Sequence, residues 1–129
     1  MARLLVLLSA CALSSCSPSQ PQTAETTEDG VCWRVQAEGQ TLRREVLDRN
    51  IDNLQTCASR LEAVRMMEGG AVEGFFEGRS IFATAEDVTQ APARGGTRYP
   101  VFDPEQRLEV QAAIQTLLDR KRENEGAGR

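Results

Sequence analysis

The chain has no histidine, and among its 129 residues only one lysine (Lys121), one tryptophan (Trp33) and one tyrosine (Tyr99). The missing histidine removes the commonest general base, the Ser-His-Asp triad and the usual zinc ligand. No phosphate-cradling glycine loop and no calcium-loop spacing occurs, so no cofactor and no metal is expected. No apolar run approaches the roughly 20 residues that a membrane-spanning helix needs. A formal net charge of −4 argues against nucleic acid or an anionic lipid surface as partner. The preference for arginine over lysine is what a GC-rich coding sequence produces, and nothing functional is read from it.

What the chain does have begins at Met1. Arg3 precedes the apolar run Leu4-Leu5-Val6-Leu7-Leu8, and small residues follow as far as Cys16. A basic start, a short apolar stretch and a small-residue cleavage region make up a secretory signal. Leu13-Ser14-Ser15-Cys16 resembles the lipobox of bacterial lipoproteins, at which a cysteine is lipidated and becomes the new N-terminus. The resemblance implies that Cys16 carries acyl chains, that the lipid bilayer is a partner through them, and that the domain faces the periplasm in the cell envelope. Ser17 is similar to the outer-membrane type of sorting residue. Leu8-Ser9-Ala10-Cys11 is a rival site with an apolar region of only five residues. Cleavage before Cys16 leaves an even pair of cysteines, Cys32 and Cys57, expected to form a disulfide, whereas cleavage before Cys11 strands Cys16 as an odd thiol. A start codon further upstream would revive Cys11.

Residues 1–15 then form the signal, and 16–30 a lipidated N-terminus and tether. Ser17 to Gly30 has two prolines, no large apolar residue and an acidic end, too little to offset its ordering entropy. As a coil it reaches about 20 Å root-mean-square. Residues 31–123 are left for one small domain with a modest core, followed by a charged, glycine-containing tail, 124–129, expected to be disordered.

In the domain, Val31, Trp33 and Val35 alternate as in a half-buried strand, 37–40 reads as a turn, and Thr41 to Leu47 as a weaker returning strand. From Asn50 to Met67 the period becomes helical. Ile51, Leu54, Cys57, Ala58, Leu61 and Val64 form the stripe, Asn50 is the expected N-cap, and Gly69-Gly70 the stop. Cys57 lies in that stripe while Cys32 alternates away from Trp33, so the first strand must be irregular at its start or buried on both faces. Residues 71–84 read as a hairpin turning at Glu77-Gly78-Arg79-Ser80, 85–97 as a polar loop, and Tyr99 to Phe102 as an edge strand. Asp103-Pro104-Glu105-Gln106 opens a second helix whose buried stripe is expected to be Val110, Ala113, Ile114, Leu117 and Leu118, fraying after Arg122. The fold class is α+β: a small antiparallel sheet of three to five strands, two helices and one disulfide.

The alternation sends Val72 and Phe76 to the core, and Glu73, Phe75 and Glu77 to the other face. Phe75 between two carboxylates is the candidate binding face. As a catalytic pair Glu73 and Glu77 would stand about 13–14 Å apart on a strand, beyond the roughly 5–9.5 Å of glycosidases, so no catalytic residue is assigned. Cys32-Trp33-Arg34-Val35 together with Asn53-Leu54-Gln55-Thr56-Cys57-Ala58 and Leu61-Glu62 resembles small exported proteins of proteobacteria, a resemblance that implies no activity. The expectation is a non-catalytic binding or accessory module with an envelope protein as partner. The alternative is a small periplasmic hydrolase-like enzyme working with carboxylates and arginine.

Overall fold

A computed structural model describes residues 28–128. The lipobox, the signal and most of the tether lie outside the described residues. Six antiparallel strands run in the order β2-β1-β3-β4-β5-β6: β1 Cys32–Glu38, β2 Thr41–Asp48, β3 Val72–Phe76, β4 Arg79–Ala83, β5 Val88–Pro92 and β6 Tyr99–Pro100. Helix α1 spans Leu54–Glu68 and helix α2 Pro104–Ala127. The class is α+β as the sequence implies, with one strand more than its upper expectation. The additional strand is β5, inside the stretch read as a polar loop. Its Val88, Thr89 and Ala91 are buried on both faces, so no clean alternation marks it.

Turn chemistry sets the registers. Glu77 (φ 44°) and Gly78 (φ 82°) are both left-handed, as the favoured two-residue hairpin requires, and pair Phe76 with Arg79. Asn50 is not the N-cap of α1; at φ 59° it sits in the preceding turn. Asn53 caps instead, its side chain accepting from Thr56 N at 2.9 Å, and left-handed Gly69 closes the helix. The N-cap of α2 is Asp103, in a full capping box with Gln106.

α1 lies across β3 and β4 with Cys57, Ala58, Leu61 and Val64 buried. Gly74 lets it come close: a Cβ there would stand 2.3 Å from Leu61 Cδ1 and 2.7 Å from the Trp33 carbonyl oxygen. Cys32 and Cys57 are bonded, Cα–Cα 5.3 Å, and both are fully buried. Trp33 pairs with Phe75, whereas Arg34 pairs with Gly74, under α1. Cys32 and Arg34 therefore face the helix and Trp33 and Val35 the opposite side, which removes the conflict in the alternation. A register shift between Cys32 and Trp33 marks the irregular start.

α2 departs most from expectation. Of its stripe only Ile114 is buried; Val110 and Leu118 are half-buried, and Ala113 and Leu117 exposed. The helix also continues to Ala127, past the point where the sequence suggests fraying. It leans on α1 rather than on the sheet, so half its apolar stripe has nothing to meet.

Candidate functional site

The face of the sheet opposite α1 carries an aromatic floor. β1 supplies Trp33, β3 supplies Phe75 directly across from it, and β4 supplies Phe82, whose ring lies 3.8 Å beneath the Arg98 guanidinium. Phe75 is 4 % exposed, which corrects the expectation of an exposed aromatic: the cross-strand Trp33 and the strands on either side enclose it. The clue was present in the sequence. If Cys32 must face the helix to meet Cys57, Trp33 must face the other way, and Phe75 then has a large partner. The buried Trp33 Nε1–H has no acceptor among the described residues, so packing alone holds the ring.

A shallow groove of about 220 Å³ runs over this floor, lined by Val35, Leu42, Arg44, Glu73, Phe75 and Ser80. Glu73 stays exposed at its rim, so two of the three candidate binding residues come together here. Glu77 does not join them. It leaves the strand at the turn, where its Oε1 accepts the backbone N–H of Gly30 at 3.0 Å and ties the domain's entry to the β3–β4 hairpin. That contact, not a ligand, is the role the geometry gives it.

A second cluster was missed. Glu62 of α1 is fully buried and receives four hydrogen bonds: two from Arg65 (2.8 and 2.9 Å), one from Arg107 (3.1 Å) and one from Gln111 (2.8 Å). Arg107 also donates to the carbonyls of Thr84 (2.6 Å) and Ala85 (3.3 Å). Burial pushes the Glu62 carboxyl upward. The hydrogen bonds from Arg65 and Gln111, with the Arg65 and Arg107 charges, outweigh it and hold the group below the usual carboxylate range. A carboxylate so engaged, three bonds on Oε1 and one on Oε2 and with no exposed surface, has no accessible oxygen to offer a substrate. Its work is to join α2 to α1. The signal was in the helical period: Glu62 is the position after Leu61 and four after Ala58, inside the buried stripe. Nearby, between β6 and α2, an apolar depression of about 570 Å³ is lined by Val88, Pro100, Phe102, Arg107, Leu108 and Gln111.

Arg34 and Glu68 form a bidentate pair at the C-terminal end of α1. Its hydrogen bond holds the exposed Glu68 carboxyl low and raises Arg34. Among the described residues no group of three or more Cys, Asp or Glu is placed to hold a metal ion, and no helix is long and apolar enough to cross a membrane. The chain matches no protein-family model, no curated protein and no solved structure.

Proposed function

We propose that the chain is a lipoprotein of the cell envelope, anchored by acyl chains on Cys16 and facing the periplasm, whose domain is a non-catalytic binding module. The reading of Ser17 puts it on the outer membrane. The observation that supports a binding role most is the groove across the open sheet face. It has Phe75 in its floor, unlike charges (Arg44 and Glu73) along its walls, and less volume than the roughly 300–1,000 Å³ of small-molecule pockets. Such a surface suits a segment of an envelope protein laid along it. Catalysis is disfavoured because the one buried carboxylate described above is spent on its own arginines.

Two measurements test this. Cys16→Ser protein should appear in the soluble periplasmic fraction, since acyl chains contribute about 0.8 kcal/mol per buried CH₂ and no spanning helix replaces them. Sedimentation of that variant with membranes after signal removal would overturn the anchor. A photo-reactive residue at Ser80, in the groove, should cross-link an envelope protein, and one at Gln55, on the outer side of α1, should not. Equal labelling from both positions would overturn the groove as the working face.

A further inference from the structure

The two edges of the sheet differ. β6 is two residues long and contains Pro100, which blunts it. β2 is eight residues, Thr-Leu-Arg-Arg-Glu-Val-Leu-Asp, with no proline, glycine or lysine, and no strand pairs with its outer side among the described residues. The hairpin register fixes what that edge offers. Glu38 pairs with Thr41 across a two-residue loop, so Thr41, Arg43 and Glu45 turn their backbone groups toward β1. Leu42, Arg44 and Val46 turn theirs outward.

We propose that β2 pairs with β2 of a second copy of this chain, antiparallel about a two-fold axis at Arg44, joining two sheets into one of twelve strands. The sequence around Arg44 is self-complementary in that register. Leu42, 44 % exposed, meets Val46 of the second copy, and Arg43 meets Glu45, each contact occurring twice. A shift of two residues in either direction sets Glu45 against Glu45 or Arg43 against Arg43 and loses both Arg43–Glu45 pairs, whereas the register about Arg44 has one like pair, at its axis, beside two unlike ones. A shift of one would align residues from unlike faces. The two Arg44 side chains meet at the axis; each is already engaged within its own chain. Arg43 holds only an exposed contact to Glu38, at 3.1 Å, that the new pair would replace. Leu42 and Arg44 also line the groove, so pairing would run the two grooves into one across the axis. This inference does not depend on the lipid anchor.

The test uses the full chain in mild detergent. Across the axis the Cα atoms of position 44 would lie about 5.5 Å apart, within the 4.4–6.8 Å that a disulfide spans. Arg44→Cys should therefore form, under mild oxidation, a covalent dimer that peptide mapping assigns to 44–44. Thr41→Cys is the control: it would face position 47 of the other copy, with its own counterpart about 20 Å away, and should not link to itself. By sedimentation, Glu45→Arg should weaken self-association about tenfold or more, and Arg43→Glu combined with Glu45→Arg should restore it, all variants melting where the parent does. A 44–44 link no faster than the 41–41 link, or a double variant that stays dissociated, overturns the proposal. So does a parent chain that remains monomeric at millimolar concentration.

Discussion

The two helices are fastened by different physics. α1, fifteen residues long, buries Cys57, Ala58, Leu61 and Val64 against the sheet and is cross-linked to β1. α2 is nine residues longer and buries only Ile114. It is held by Arg107 and Gln111, which reach the buried Glu62, and by the carbonyls of Thr84 and Ala85. Apolar contact is non-directional and spreads over a surface, whereas a saturated ion cluster acts at one place and in one geometry. Damage to α1 should therefore unfold the domain, and damage to the cluster should release α2 while the sheet survives.

The largest effects are expected on β3, with Phe75→Ala first and then Gly74. Its replacement by alanine drives a methyl into Leu61 and, at 2.7 Å, into the Trp33 carbonyl, which as sheet backbone cannot give way. Overpacking of this kind costs about 1–3 kcal/mol and occasionally more, and the backbone contact puts Gly74→Ala at the upper end. Phe75→Ala, now known to be a core change, should cost about 3–5 kcal/mol. Chemical denaturation checks both; a loss below about 1 kcal/mol from Gly74→Ala would show that the α1 side of the sheet is looser than drawn, and one from Phe75→Ala that the opposite face is. Reduction comes next. Cys32 and Cys57 are separated by 25 positions, for which the chain-entropy model gives roughly 3.5 kcal/mol, a large share of the 5–15 kcal/mol typical of a domain. The melting temperature should fall sharply in reductant, and free thiols titrated in the folded protein purified without reductant would refute the pairing.

Glu62→Ala separates the two helices. It leaves Arg65 and Arg107 partly buried without their counter-charge, a loss of about 3 kcal/mol for a buried pair broken on one side. Hydrogen exchange should show α2 losing protection first. The same cluster sets an acid limb. Because the folded Glu62 carboxyl lies below its unfolded value of about 4.3, its contribution is complete above that pH and is lost as pH falls through the folded pKa. Glu68 titrates in the same direction through Arg34. Glu62→Gln should flatten the α2 part of the limb and leave the Glu68 part. An α2 whose protection is unchanged between pH 6 and 3 would mean that apolar contact holds it after all.

This contrast also explains what the sequence made legible. The α1 stripe, the Gly69 stop, the Asp103 capping box and the cysteine pair could be read because each is a local pattern with a single structural solution. The stripe on α2 misled because periodicity reports that a helix has an apolar side, not that something lies against it. Phe75 was misplaced because its burial comes from a side chain 42 positions away in the chain, Trp33, whose direction follows from the Cys32–Cys57 bond and not from a local pattern. Strand β5 was missed because burial on both faces erases the period on which a strand is recognised. Glu62 stands inside the legible α1 stripe, but its pairing has no local pattern, since its partners Arg107 and Gln111 lie 45 and 49 positions away. The resemblance of residues 13–16 to a lipobox bears on the proposed location and on none of these.

The smallest effects are expected along the far half of α2, as a gradient. Ile114 is 7 % exposed, so Ile114→Ala should cost about 2–3 kcal/mol, the lower part of the range for buried aliphatic truncation. Leu118, half-buried beside Met66, should cost about 1 kcal/mol. Leu117 is 57 % exposed, and its truncation should stay within about 0.5 kcal/mol. Beyond Leu118 the described part of the helix has its own hydrogen bonds and exposed pairs, Arg122–Asp119 at 3.6 Å and Lys121–Glu125 at 3.9 Å. Such pairs are worth a few tenths of a kcal/mol each. Ending the chain after Arg122 should accordingly move the melting temperature by no more than a degree or two, in step with Leu117→Ala. If instead Leu117→Ala costs as much as Ile114→Ala in the intact full chain, the outer side of α2 has a partner there, and its apolar stripe is completed by association.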